Sequence, residues 1–344
     1  MTQSRRIKME NTNQIIDQVN PGMTMAETFP KTTQGAATVA AEVRDEGIVD
    51  KVGLRYAIGL AIMLGSQFLV SMLVKWLAPN LQDKLGANFS VLMILICNGL
   101  IALTAMFLLN RNLPVHKVPK QKLGEGRYIK AIFICYGVMI IGSLIGVAVT
   151  FLITGKMNNV IDQAFGGSSS LLMIFVVGIC GPIYEELIFR KILIDRMSRY
   201  GEKFAIIASG VMFGLFHGNF QQVFYAMFLG FVFAYIYVKS RNILYSISMH
   251  MIINLYTSAV LMPLMQKAGT DIMSQMYLSL AIIVEFGAAF AGIIILLVNL
   301  KKIKVTETLA NPGKAGKLFT SWGMWLFYAV IIGLFLLMYL YKGV

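Results

Sequence analysis

The chain has 344 residues, 57% of them hydrophobic and only 14% charged, where a soluble domain of this size carries about a quarter charged. The formal net charge of +13 comes with no basic stripe interleaved with aromatics, so it points to loops lying against anionic lipid and away from nucleic acid. An ordinary water-soluble domain is excluded; the expected fold is all-α, a polytopic membrane helix bundle of about eight or nine transmembrane helices.

Residues 1–53 are polar, mixed in charge and interrupted by Pro21 and Pro30. They read as a disordered cytoplasmic tail, and no signal peptide is expected ahead of the first apolar run. Nine apolar runs follow, at 56–77, 90–109, 131–153, 171–189, 204–218, 222–238, 243–262, 277–299 and 320–341. The fifth and sixth are short and nearly joined through Gly218-Asn219, which suggests a tight hairpin; eight spans result if one weak run does not cross. The organisation expected is a tail (1–53), N-terminal transmembrane helices (54–160), a core carrying the polar motifs (161–265) and C-terminal transmembrane helices (266–344). With the N-terminus inside, the inside segments hold 24 of the 30 Lys and Arg. The opposite side holds Lys75, Lys84, Lys156, Lys267 and Lys342, and Arg55 sits at a membrane edge. That asymmetry predicts a cytoplasmic N-terminus. Cys97, Cys135 and Cys180 lie in apolar runs without metal-ligand spacing and read as small buried hydrophobes.

Polar chemistry is concentrated in three places. Charges at membrane depth are expensive and mark function, and the fourth run ends in Tyr184-Glu185-Glu186-Leu187-Ile188-Phe189-Arg190. On a helix Glu186 and Arg190 share a face and form an ion pair. Glu185 is rotated by about 100° from that pair and is left free to act as a base. Gly181-Pro182, just upstream, is expected to kink or restart the helix. The chain has only three histidines, and two lie in apolar runs. His217 follows Phe213 by four residues, so the phenyl ring can fix the imidazole rotamer; His250 precedes Asn254 by four, on one face. Two donors stacked in this way suit the polarisation of a carbonyl and the stabilisation of an oxyanion. A surface salt bridge or an interhelical hydrogen bond explains any one of these motifs alone. Three of them, in order, with both intramembrane histidines, point to a hydrolytic site.

Glu185-Glu186-x-x-x-Arg190, Phe213-x-x-x-His217 and His250-x-x-x-Asn254 together resemble the three-motif signature of the CPBP family. These are the CAAX proteases and bacteriocin-processing enzymes, also called the Abi family of intramembrane endopeptidases. The resemblance covers residues 171–262. It implies a site in a cavity open to the cytoplasm and hydrolysis of a peptide bond in a membrane-associated partner. That partner would be a CAAX-type prenyl protein or a bacteriocin or pheromone precursor. It further implies that Glu185 and His217 activate water, that His250 and Asn254 hold the oxyanion, and that Glu186 and Arg190 support the site. For His217 to reach the depth of Glu185, residues 190–205 are expected to form a charged hairpin protruding into the cytoplasm.

Glu185, His217 and His250 also count as a three-ligand zinc set with an open position. There is no His-Glu-x-x-His, however, and Asn254 is a poor zinc ligand. The cofactor expectation is therefore none or zinc, with the metal-free mechanism favoured. Glu285 is a further intramembrane charge, read as structural or as lining an access path. The alternatives to a protease are a non-cleaving bacteriocin-immunity or membrane-scaffold protein, and a transporter using Glu185, Glu186 and Glu285 as a relay. The chain ends Tyr-Lys-Gly-Val, so it is not expected to be a prenylated target itself. The expected location is a bacterial cell membrane.

Overall fold

Hydrocarbon offers no partner to a backbone amide, so a chain this apolar has to satisfy its N–H and C=O groups within helices. The computed structural model describes residues 48–116, 118–155, 167–305 and 317–336, and among them there are helices and connecting turns and no strand. Helix α1 is Ile48–Leu77, and α2 is Ala87–Asn110, α3 Glu125–Thr154 and α4 Ser170–Tyr200. Then come α5, Glu202–Phe216, and α6, Phe220–Ser240, α7, Ile243–Ala268, and α8, Ile272–Lys302. Last is α9, Trp322–Leu336. Large apolar side chains such as Trp76, Leu152, Ile283 and Phe290 lie exposed on the outside of the bundle, where lipid would cover them. The protein is an integral membrane protein.

Seven of the described helices are long and apolar enough to cross a bilayer. The fifth and ninth apolar runs give shorter helices of 15 residues each in α5 and in the described part of α9. Fifteen residues reach roughly 22 Å at 1.5 Å per residue, short of the ~30 Å hydrocarbon layer. The tail reading falls on residues 1–47, outside the described residues, and 48–53 already belong to α1.

Packing follows glycine. The closest helix pairs are α3 with α6, α5 with α6, α3 with α8, and α1 with α9. A Cβ on Gly142 of α3 would lie 2.4 Å from the Cα of Tyr225, and one on Gly146 would lie 2.6 Å from the carbonyl oxygen of Phe220. Glycines four residues apart thus let α3 lie directly on the α6 backbone, the close approach typical of membrane helices.

The α4–α5 connection positions the site. It turns at Gly201, whose φ of +110° is costly for any residue with a Cβ. Glu185 lies sixteen residues before Gly201 and His217 sixteen after it. An antiparallel hairpin about Gly201 therefore brings the two level, roughly 24 Å from the turn. This is the hairpin expected from sequence, but its tip does not protrude freely. Asp195, Arg196 and Ser198 are buried. Arg196 donates to the carbonyl oxygen of Asn110 at 2.7 and 3.2 Å, Tyr237 donates to Asp195 at 2.7 Å, and Arg241 donates to Ser198 at 2.9 Å. The last carbonyls of α2 need donors, and this is where the hairpin's charges go.

Candidate active site

Helix α4 changes its winding around the glutamates. Wide π-type turns run over Ile174–Cys180 and Leu187–Ile194, and an α-helical piece, Gly181–Glu186, lies between them. Pro182 sits at the start of that piece, where its missing N–H is tolerated. The expected restart at Gly181-Pro182 is thus a change of helical pitch within a continuous helix.

Glu186 and Arg190 are both fully buried, with Arg190 Nε 3.1 Å from Glu186 Oε2. The guanidinium lies over the Phe213 ring, 4.6 Å from its centroid, and near the Phe233 ring at 5.5 Å. Two ring faces and one carboxylate replace the water that a guanidinium loses on burial. On the other side of Glu186, Oε1 lies 3.1 Å from His250 Nδ1. An ionised carboxylate only accepts, so Nδ1 carries the hydrogen and Nε2 is turned the other way. That Nε2 faces Glu185, 3.7 Å from Oε2. Ser246, one turn before His250, also reaches Glu186.

Glu185 keeps 22% of its side chain exposed while Glu186 has none. The two adjacent carboxylates therefore differ: Glu186 is locked by Arg190 and His250, and Glu185 stays partly exposed. His217 caps α5, its Nδ1 2.9 Å from the carbonyl oxygen of Phe213. A carbonyl accepts, so this nitrogen too carries the hydrogen, and Nε2 is left as an acceptor. His217 lies within electrostatic reach of both Glu185 and His250. Phe213 stands edge-on to His217 at 5.1 Å and to His250 at 5.7 Å, and Phe233 stacks on His250 at 4.9 Å. The expected Phe213–His217 pairing is present, and Phe213 serves Arg190 and His250 as well.

Asn254 lies one turn beyond His250 on α7. Its amide donates to the carbonyl oxygen of Val177 at 3.0 Å, so one of its two hydrogens fastens α7 to α4. Glu285 on α8 is partly exposed and lies within reach of Tyr136 and Tyr256, apart from the cluster. Among the described residues no three His, Cys, Asp or Glu side chains group as a metal site. Sequence reasoning missed Phe233 and Ser246. Ser246-x-x-x-His250-x-x-x-Asn254 was a readable polar stripe on α7; Phe233, one aromatic among many on α6, gave no signal.

Residues 167–256 match the family described as type II CAAX prenyl endopeptidase Rce1-like. The chain is 36% identical over 86 residues to the membrane protein YdiL of Bacillus subtilis, covering 25% of this chain and 35% of YdiL. It is 25% identical over 214 residues to the membrane-embedded CAAX protease MroQ of Staphylococcus aureus, covering 56% of this chain and 83% of MroQ. It is 30% identical over 83 residues to YxdF of Lactococcus lactis, covering 24% of this chain and 46% of YxdF. The chain thus spans about a third of YdiL and under half of YxdF. No solved structure matches it. The matched segment contains Glu185, Glu186, Arg190, His217, His250 and Asn254 in order, and over these residues the chain is similar to that family of membrane proteases.

Proposed function

We propose that this protein is an intramembrane endopeptidase that hydrolyses a peptide bond of a membrane-associated protein or peptide without a metal. The observation that carries this is the divergence of the two glutamates. Glu186 is closed off by Arg190 and His250, while Glu185 faces His250 Nε2 across 3.7 Å with His217 within reach.

Glu185 accepts a proton from a water that His217 Nε2 orients by accepting its second hydrogen. The water oxygen bonds to the carbonyl carbon, and the carbonyl electron pair moves onto oxygen. The C–N bond then breaks, and the amine leaves with the proton from Glu185. Glu186 and Arg190 touch no reacting atom; they fix His250 and keep the Glu186 charge compensated. A positioned base of this kind contributes about 10²–10⁴-fold.

The substrate proposed is a lipid-anchored or amphipathic peptide, either of the CAAX type that MroQ's description names or a bacteriocin or pheromone precursor. The cavity is proposed to open to the cytoplasm. The test is a panel of internally quenched peptides, farnesylated Cys-a-a-X sequences beside unmodified precursor-like ones, given to detergent-purified full-length protein with and without a strong zinc chelator. We expect cleavage of at least one panel member, loss of more than 10²-fold with Glu185→Ala, and no response to the chelator. Loss on chelation with recovery on adding zinc would replace the metal-free mechanism. Folded protein that cleaves nothing would favour a non-cleaving immunity or scaffold role.

A further inference from the structure

The start of α6 holds a polar chain in an otherwise apolar setting: Asn219, Gln222 and Tyr225, three residues apart. Its hydrogen-bond directions follow from two backbone groups that cannot reverse. The N–H of Gln222 donates to Asn219 Oδ1 at 2.9 Å, so the other end of the Asn219 amide is its NH₂. That NH₂ donates to the carbonyl oxygen of His217 at 3.0 Å, which requires the same assignment, and to Gln222 Oε1 at 2.6 Å. The other end of the Gln222 amide is then its NH₂, and it donates to the Tyr225 oxygen at 2.9 Å. A phenol has one hydrogen to give. Because its oxygen is already accepting from Gln222, that hydrogen is directed elsewhere.

Tyr225 is held facing the candidate site. Gly142 of α3 packs on its backbone, leaving no room for a Cβ. Its ring lies 6.4 Å from the His217 ring at 63°, and the Glu185 carboxylate is within electrostatic reach. The site also has a use for a donor there, since Asn254 has committed a hydrogen to Val177.

We propose that Tyr225 is a further catalytic residue, whose phenolic hydrogen is donated to the oxyanion formed when water adds to the substrate carbonyl. The hydrogen bond strengthens as charge develops on that oxygen, and no proton is transferred. Gln222 is a positioning residue that sets the direction of the phenol. The assignment rests on the hydrolase reading above.

The test compares wild type, Tyr225→Phe, Gln222→Leu and Glu185→Ala on the peptide that wild type cleaves best, together with inhibition by its phosphinic analogue, a mimic of the tetrahedral anion. Loss of one oxyanion donor lowers kcat by about 10²–10³-fold. For Tyr225→Phe we expect a drop of about that size, KM within twofold, an unchanged unfolding temperature, and a parallel rise in the inhibition constant of the analogue. Gln222→Leu should fall between it and wild type. Turnover by Tyr225→Phe within threefold of wild type would overturn the assignment and leave the hydrolase reading intact. So would a slow Tyr225→Phe enzyme that binds the analogue normally, since its hydroxyl would then act through His217. Turnover undiminished in Glu185→Ala, or no turnover of any panel peptide by wild type, would sink the hydrolase reading and this proposal with it.

Discussion

A guanidinium with none of its surface exposed sits between two phenylalanine rings and one carboxylate. Its Nη1 and Nη2 have no hydrogen-bond partner among the described residues, so Glu186 and the ring faces carry its compensation. Removing one member of a buried pair costs about 3–5 kcal/mol, because the remaining charge is stranded. Arg190→Ala is therefore expected to lower the unfolding temperature in detergent sharply and to abolish activity. Glu185→Ala should abolish activity with little change in stability, since Glu185 is partly exposed and among the described residues makes no hydrogen bond or ion pair closer than its 3.7 Å approach to His250. Equal unfolding temperatures for the two variants would refute this division of labour. Much of the arrangement was legible in the sequence: a spacing of four set the Glu186–Arg190 and Phe213–His217 pairs, and adjacency set Glu185 apart. Phe233 and Tyr225 were not legible, because they reach the cluster from α6 through tertiary packing that no spacing within α4, α5 or α7 encodes.

At the scale of the helix, apolar side chains cannot drive association when the solvent is itself apolar, so close packing takes over. Helix α8 rests on α3 through Gly292, where an added Cβ would meet the Phe133 carbonyl oxygen at 1.8 Å and its carbon at 2.4 Å. Both are backbone atoms, so relief requires moving a helix. One turn and a residue earlier on α8, Gly287 has open space around the same position. Gly292→Ala is expected to destabilise by about 1–3 kcal/mol, and Gly287→Ala to be neutral or mildly stabilising through helix propensity. Thermal unfolding of the two variants in one detergent checks this, and similar midpoints would mean that α8 is not seated on α3 as described. The helical runs themselves were readable from hydropathy. What hydropathy could not supply was that 204–218 forms a helix too short to cross, or that the charged stretch after Arg190 folds inward. Both depend on where partners lie: Arg196 is drawn to the carbonyl oxygen of Asn110 and Asp195 to Tyr237.

For the whole molecule, the distribution of Lys and Arg makes a claim about sidedness that the fold puts into three dimensions. The N–H of His116 donates to the carbonyl oxygen of Asp195 at 2.7 Å, and that of Gln121 to the carbonyl oxygen of Ser240 at 2.7 Å. These bonds gather the α2–α3 loop, the α4–α5 turn and the α6–α7 turn at one end of the bundle, and they join the segments that sequence counted as basic and inside. At the opposite end, the N–H of Ser169 donates to Asn88 at 2.7 Å, joining the starts of α4 and α2. Because α5 and α6 leave and return to the basic end, the short α5 does not disturb the alternation of the long helices. Basic residues stay on the cytoplasmic side during insertion, so the basic end is expected to face the cytoplasm. Lys84, Lys120, Lys267 and Lys302 are all exposed and can be replaced singly by cysteine in a background lacking Cys97, Cys135 and Cys180. In intact cells, an impermeant maleimide should label Lys84→Cys and Lys267→Cys, and should reach Lys120→Cys and Lys302→Cys only after permeabilisation. The reversed pattern would place the basic end outside and count against the proposed cytoplasmic opening of the site. A mixed pattern, with Lys120→Cys and Lys302→Cys on different sides, would contradict the helix alternation itself.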